Sequence, residues 1–237
     1  MRRIGALMST AADDPEGQAR IAAFHQGLQQ LGWTEGRNMR IDLRWAAGDA
    51  DRNRGYAAEL IALAPEVILA SGGSTVSALL QLTRTVPIVF TQTPDPVGAG
   101  YVESLAHPGG NATGFMNFEY SMGGKLLELL KQIAPDVTRV AVLRDLAIPQ
   151  GVGQWGAIQT AAPSFGVEVI PISVRDAAEI ERAVTAFARS ANAGMIVPGS
   201  GLAIAHRNMI ALLAARYRLP TVRSPVRYSW WPDFLWD

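Results

Sequence analysis

Short apolar runs alternate with longer segments of helical period along most of the chain, and this alternation limits the fold more than any other feature. The run at 4–8 is followed by apolar residues from Ile21 to Leu31 that recur on one helix face, which ends at Gly32. The next run, 39–45, alternates apolar and polar residues as a strand with one solvated face would. Units of this kind predict an α/β fold with a parallel sheet.

The same unit recurs in two sets along the chain. In the first set we predict strands at 4–8, 39–45, 67–70 and 88–90 and helices at 21–31, 56–64, 76–82 and 101–106. In the second set we predict helices at 126–133, 155–165, 180–191 and 204–217 and strands at 140–143, 167–172 and 195–197. The sequence therefore predicts two Rossmann-like lobes with parallel sheets, at 1–117 and 118–222, followed by an atypical tail at 223–237.

Composition excludes several classes of function. The chain has 21 Lys and Arg against 21 Asp and Glu without a basic run, which argues against nucleic-acid binding. The absence of cysteine removes disulfides, thiolate nucleophiles and Cys-ligated metals. No apolar run reaches the roughly 18 residues of a membrane span. Together, these features of composition favour a small-molecule partner.

Residues for catalysis or cofactor binding do not assemble into a pattern. His25, His107 and His206 lack the spacing of a metal site, so we expect none. The sequence contains no Gly-x-Ser-x-Gly elbow, Walker loop or Gly-x-Gly-x-x-Gly motif. We therefore expect neither a cofactor nor catalytic residues.

The stretch "VILASGGSTVSALL", residues 67–80, runs from a strand through a glycine turn into a helix. Such a turn lets backbone approach a ligand closely and directs unpaired N–H groups at a negative group. It predicts an anion or carboxylate site. The alternative is that Gly72 and Gly73 only make a tight turn, while Ser74 or Thr75 caps the helix.

The loop "TPDPVGAG" fixes a carboxylate between two prolines. Pro94 and Pro96 stiffen the chain around Asp95, which could then receive an ammonium group. The alternative is an Asp-Pro turn ahead of a short helix. Other predicted strand ends also carry polar residues, which suits a small polar or zwitterionic solute, although loops are polar in general. These are 9–10, 71–75, 91–95, 144–145, 173 and 199–200.

Three segments together resemble the substrate-binding proteins of ABC transporters, in the family that includes tryptophan- and tyrosine-type binding proteins. They are "AAFHQGLQQLGWTEGRNMRIDLRWAAGDADR", the segment from "VILASGGST" through "FTQTPDPVGAGYVESLAHPGGNATGF", and "KLLELLKQIAPDVTRVAVL". The resemblance covers about residues 3–222. It implies a type I periplasmic binding fold that closes over a solute between its lobes, without catalysis. It also implies a membrane permease as partner and a periplasmic or lipid-anchored location.

The resemblance also implies a set of ligand contacts. Gly73, Ser74 and Thr75 should meet the carboxylate or another polar end of the solute, with Thr93 and Asp95 beside them. Ser9 and Thr10 should line the floor, and Asn117, Asp145 and Ser200 should face the cleft from the second lobe. The loop "RDLAIP" departs from the Asn-Pro loop of members that bind aromatic amino acids, which leaves the solute open to an amino acid or a related carboxylate.

The chain departs from the family at both ends. No export signal precedes the first strand, and after Val222 the resemblance gives way to "RSPVRYSWWPDFLWD". The sequence therefore predicts a C-terminally truncated member, and the aromatic tail would favour self-association. Two other functions stay open: an intracellular ligand-sensing or regulatory module of the same fold, and a racemase- or isomerase-like two-lobed enzyme.

Overall fold

A computed structural model describes residues 1–145 and 150–224 and contains two parallel sheets. The first sheet has the strand order β2-β1-β3-β4-β5, and the second has the order β7-β6-β8-β9. The strands are β1 (Arg2–Met8), β2 (Met39–Trp45), β3 (Val67–Ser71), β4 (Ile88–Thr93), β5 (Ala112–Met116), β6 (Arg139–Asp145), β7 (Glu168–Val174), β8 (Ala193–Val197) and β9 (Thr221–Arg223). We call the first sheet with its helices the first lobe and the second sheet with its helices the second lobe.

Helices follow the strands in both lobes. They are α1 (Pro15–Gln30), α2 (Ala50–Ala62), α3 (Gly73–Leu82), α4 (Gly123–Ile133), α5 (Gln150–Ala161), α6 (Ala177–Phe187), α7 (Gly201–Ala205) and α8 (Arg207–Arg216). Local sequence sets several of their starts. Asp14, Asp49 and Asp176 each accept a hydrogen bond from a backbone N–H in the first turn of the helix that follows.

Both faces of each sheet are covered by apolar side chains. In β6, Val142 packs on the side of α4 and α5, whereas its neighbour Leu143 packs on the side of α6 and α8. In the first lobe, Met8 packs with Ile21 of α1, and α2 and α3 cover the opposite face. Burial of this kind explains the nearly continuous apolar strands of a parallel sheet. It also leaves the strand ends as the polar edges of each lobe.

The structure confirms the predicted α/β class and the two parallel sheets. The short helix predicted at 101–106 is wrong: Tyr101 donates its N–H to Pro96 O and Glu103 donates its N–H to Pro108 O, so the segment is a hydrogen-bonded loop. The helix predicted at 204–217 is divided at His206 into α7 and α8. Strand β5 was not predicted, because "ATGFM" is short and contains a glycine.

Some predictions concern features that the described residues leave untested or cover only in part. The division of the lobes between residues 117 and 118 stays a prediction. Of the atypical tail at 223–237, residues 225–237 lie outside the described residues, as do 146–149 of the loop "RDLAIP". Among the helices that the structure describes, none has the length and apolar character required to cross a membrane.

Candidate ligand-binding site

A small cavity lies where loops at the carboxyl ends of the two sheets meet. Its volume is about 20 Å³, which is room for roughly one water molecule. The first lobe contributes Ser9, Arg20, Gly72, Gly73, Gln92, Pro94 and Asn117, and the second contributes Gly199, Ser200, Gly201 and Ile204. The lobes are therefore closed on each other, and entry of a solute requires them to separate.

The start of α3 brings backbone groups to this cavity and a hydroxyl group beside it. Gly72 has φ +106°, and a Cβ there would lie 2.5 Å from Ser9 Oγ, so only glycine fits. Gly72 offers no side chain to cap α3, which leaves N–H groups of the first turn for another acceptor. The Ser74 hydroxyl oxygen is buried and has no hydrogen-bond partner among the described residues. This end of α3 can accept a negative or neutral polar group.

A β-bulge places Gln92 at the cavity. The pairing of β4 with β5 shifts between Phe90 and Thr93, so two residues of β4 face one of β5. Regular alternation would put Gln92 on the same face as the buried Phe90; instead it has φ +55° and lines the cavity. Its Oε1 accepts a hydrogen bond of 3.0 Å from Asn117 Nδ2. The two neighbouring amides therefore form one element of the cavity wall.

Asp95 braces the loop after β4. Its Oδ1 accepts the N–H of Gly98 at 2.7 Å, and its Oδ2 accepts the N–H of Tyr120 at 3.1 Å. Its own N–H donates to Phe118 O. Asp95 is not among the residues that line the cavity. The carboxylate thus ties this loop to the chain that enters the second lobe.

The second lobe approaches through the start of α7. Ser200 Oγ accepts the N–H of Ala203 at 3.0 Å, so this hydroxyl caps α7. A Cβ on Gly48, which has φ +75°, would lie 2.8 Å from Gly201 O. A Cβ on Gly201 would lie 3.3 Å from Ser74 Oγ. Backbone meets backbone here because neither lobe carries a side chain at the closest point.

An ion pair joins the lobes beside this contact. Arg207 at the start of α8 donates to Asp14 Oδ2 and to Ile204 O, while Asp14 Oδ1 accepts the N–H groups of Glu16 and Gly17. Burial alone would raise the pKa of Asp14. The hydrogen bonds from Gly17 and Arg207, together with the Arg207 charge, outweigh burial and lower that pKa below 3.8.

The cavity wall contains one ionisable side chain among the described residues, that of Arg20. Arg20 forms an ion pair with Glu16 one turn earlier on α1. Burial raises the pKa of Glu16, and the Arg20 charge offsets part of that rise. The positive charge near the cavity is therefore partly neutralised within its own helix.

Four predicted site residues line the cavity: Ser9, Gly73, Asn117 and Ser200. A fifth, Ser74, lies beside it, where its hydroxyl faces Gly201 of the second lobe. Asn117 follows β5 and donates its N–H to Thr93 O, so it lies with the first sheet, on the side of the predicted boundary given by 1–117 and not with the second lobe, where the resemblance had put this contact. The ligand contacts themselves stay predictions.

Five other predicted residues lie outside the cavity wall: Thr10, Thr75, Thr93, Asp95 and Asp145. Thr75 Oγ1 donates to Gly72 O at 2.6 Å, and Thr93 Oγ1 donates to Thr91 O at 3.2 Å. The buried Thr10 hydroxyl packs beside Gly17 of α1. Asp145 is buried at the end of β6. Most of these side chains stabilise turns or packing next to the site.

The prediction from sequence missed several cavity residues. Gln92 lies inside the motif "FTQTPDP", yet nothing in the motif signals a bulge. Arg20 is one of several arginines on helices, and only the tertiary fold brings it to the cavity. Gly201 was visible in "GSG" after a predicted strand, a signal that could have been used. Across residues 1–145 and 150–224, no three His, Asp or Glu side chains gather as a metal site.

Comparisons with known proteins bear on the family and the fold of this chain. Over 201 residues the chain is 25% identical to the tyrosine-binding protein of Clostridioides difficile (strain R20291), covering 85% of this chain and 57% of that protein. The chain thus spans little more than half the length of this curated relative. The ABC domain in complex with L-Trp from Streptococcus pneumonia has a TM-score of 0.82 at 21% identity, covering 95% of this chain and 74% of that one.

A more distant solved structure shares the architecture. The solute-binding protein of an ABC transporter from R. palustris, in complex with benzoate, has a TM-score of 0.64 at 15% identity, covering 93% of this chain and 61% of that one. At these identities the two solved structures show the fold alone, a two-lobed type I periplasmic binding fold. The sequence model of the family described as ABC transporter substrate binding protein matches residues 10–227. The chain therefore belongs to the ABC transporter substrate-binding protein family.

Proposed function

We propose that this chain is the solute-binding component of an ABC importer and captures a small polar solute between its lobes without catalysis. The observation that carries the proposal is the cavity between the carboxyl ends of two parallel sheets, with the start of α3 on one side and Gly201 on the other. Ligands of doubly wound α/β folds bind at such strand ends.

The solute class follows from the groups on the cavity wall and directly beside it. The unpaired N–H groups at the start of α3, the buried Ser74 hydroxyl and Arg20 all favour a negative group. The proposed solute is an amino acid or a related carboxylate. Relatives are described as binding tyrosine, L-Trp and benzoate, each of which carries a carboxylate.

The partner in this proposal is a membrane permease, and the location is extracytoplasmic. Membership of the ABC transporter substrate-binding protein family supports both parts of this proposal. The inter-lobe contacts support the same proposal, because a closed pair of lobes can present a surface that the separated lobes do not.

A thermal-shift screen tests the proposal. A solute that binds only the folded state at 100 times its Kd adds about 2.7 kcal/mol of stability. We expect the melting temperature to rise with amino acids or carboxylates, and Ser74→Ala to reduce the rise. Ser77→Ala, further along α3 and without the contact to Gly201 that Ser74 has, is the matched control. A cooperative transition that no solute shifts would contradict the proposal.

A further inference from the structure

The cavity wall carries no carboxylate among the described residues, although acidic side chains lie close by. Asp95 is tied to the N–H groups of Gly98 and Tyr120. Asp14 serves the start of α1 and the guanidinium of Arg207. Each of these carboxylates is engaged in a contact that holds the site together.

The described polar side chains of the first lobe that line the cavity include two neutral amides. A carboxylate, which could neutralise a bound cation, is not among them. Gln92 and Asn117 both line the cavity and are hydrogen-bonded to each other. With Nδ2 of Asn117 bonded to Oε1 of Gln92, the pair keeps the Gln92 amide N–H groups and the Asn117 carbonyl for a further partner. The pair can therefore hydrogen-bond a solute but cannot neutralise a positive charge.

The bulge in β4 gives this pair a fixed position. Gln92 has φ +55°, a conformation that residues other than glycine seldom adopt. The N–H of Asn117 donates to Thr93 O, which fixes the backbone of Asn117 against the same bulge. Strained backbone of this kind is concentrated at ligand-binding positions. The backbone of both residues is thus fixed at the bulge, and their side-chain amides hydrogen-bond to each other.

An ammonium group at this wall finds no opposite charge among the described residues, and closure of the lobes removes part of its hydration shell. Neutral carbonyl groups compensate such a loss only in part, because a buried charge requires a charged partner. A carboxylate is accommodated better, since the start of α3 favours negative charge and Arg20 adds the part of its charge that Glu16 does not neutralise. The wall therefore suits an anion better than a zwitterion.

We propose that this cavity selects organic carboxylates without an α-ammonium group over the corresponding amino acids, and that the neutral Gln92 and Asn117 pair sets this preference. The inference rests on the proposed solute-binding function and narrows its solute class. It concerns selectivity, which is separable from binding itself.

Matched pairs of probes measure the preference on the whole chain. Isothermal titration would compare isocaproate with leucine, phenylpropanoate with phenylalanine, and indolepropanoate with tryptophan, since each pair differs only by the ammonium group. In a pair that binds, we expect the acid to have a Kd lower by about tenfold or more. An amino acid that binds as tightly as its acid would overturn the inference.

A charge-introducing variant tests the role of the amide pair. Asn117→Asp adds a carboxylate with little change of shape, so we expect the ratio of the two Kd values to move by about tenfold toward the amino acid. Gln30→Glu adds the same charge on an exposed part of α1 and should leave the ratio unchanged. If the ratio of the Kd of the amino acid to the Kd of its acid is the same in Asn117→Asp and Gln30→Glu, the amide pair does not set the preference.

Failure of this inference differs from failure of the proposed function. If no member of any pair binds while a solute of another class raises the melting temperature, the inference is wrong and the binding function stands. If no solute of any class binds the folded chain, the proposed function is wrong and the inference with it.

Discussion

The two lobes contribute unequally to the cavity. The first lobe supplies residues from several separate segments, among them the hydroxyl of Ser9 and the amides of Gln92 and Asn117. The second lobe supplies one segment, 199–204, whose glycines offer backbone and whose Ser200 hydroxyl caps its own helix. The first lobe is therefore equipped to recognise a solute, and the second to close over it.

The largest predicted effect is a loss of folding stability in the first lobe, at the bulge that positions Gln92. Gly114 has φ +156°, and a Cβ there would overlap the backbone of Phe90 in the neighbouring strand. We expect Gly114→Ala to reduce the free energy of unfolding by about 3–5 kcal/mol, because neither backbone can yield without losing strand pairing. Chemical denaturation measures the change.

Gly110→Ala is the control for that variant. A Cβ at Gly110 would meet nothing within 4 Å, so its effect should stay within about 0.5 kcal/mol. Equal losses in the two variants would show that the β4 and β5 pairing adapts, and that the bulge does not fix Gln92 as described.

The second prediction separates closure from recognition. In Gly48→Ala the new Cβ meets Gly201 O, which should prevent full closure and raise the Kd of the best solute by about tenfold or more. Gly36→Ala has a similar backbone conformation, φ +79°, with nothing within 4 Å. It should lose similar folding stability while its Kd is unchanged. If both variants bind normally, this contact does not limit closure.

The third prediction concerns the ion pair that joins the lobes. Asp14→Asn keeps a residue that caps α1 but removes the charge facing Arg207, so we expect the Kd to rise about threefold to tenfold. Asp49→Asn makes the same change at the start of α2, where Asp49 caps the N–H of Arg52. The Kd of Asp49→Asn should not change. If it rises as much as that of Asp14→Asn, the effect is due to helix capping and not to the ion pair.

The same ion pair predicts a dependence on pH. The pKa of Asp14 is lowered in the folded chain, so its contribution is present above pH 3.8 and is lost as pH falls through the folded-state pKa. Unfolding free energies of the native chain and Asp14→Asn should therefore differ at neutral pH and converge in acid. A difference that stays constant down to the lowest pH at which the chain folds would contradict this assignment.

Sequence patterns predicted the lobes better than the cavity, for a physical reason. The spacing of apolar residues shows which face of a helix or strand is buried, so strands such as 39–45 and the helices that cover them could be predicted. The role of Asp95 depends on which backbone N–H groups the fold brings to it, and Tyr120 lies 25 positions away. The bulge at Gln92 depends on pairing between two strands, which no local pattern encodes.

The smallest predicted effects compare two tyrosine hydroxyls on opposite sides of the boundary between the lobes. Tyr101 Oη donates to Gly73 O at 3.0 Å, whereas the buried Tyr120 hydroxyl has no partner among the described residues. Tyr101→Phe should therefore lower the free energy of unfolding by about 0.5–1.5 kcal/mol, and Tyr120→Phe should leave it unchanged or raise it slightly. Burial, with the charge of Asp95 and the nearby Tyr101, raises the pKa of Tyr120, so the hydroxyl stays neutral near pH 7. Denaturation at that pH thus compares two neutral groups of the same shape. A loss in Tyr120→Phe as large as that in Tyr101→Phe would show that the second lobe, like the first, uses its tyrosine to hold the site.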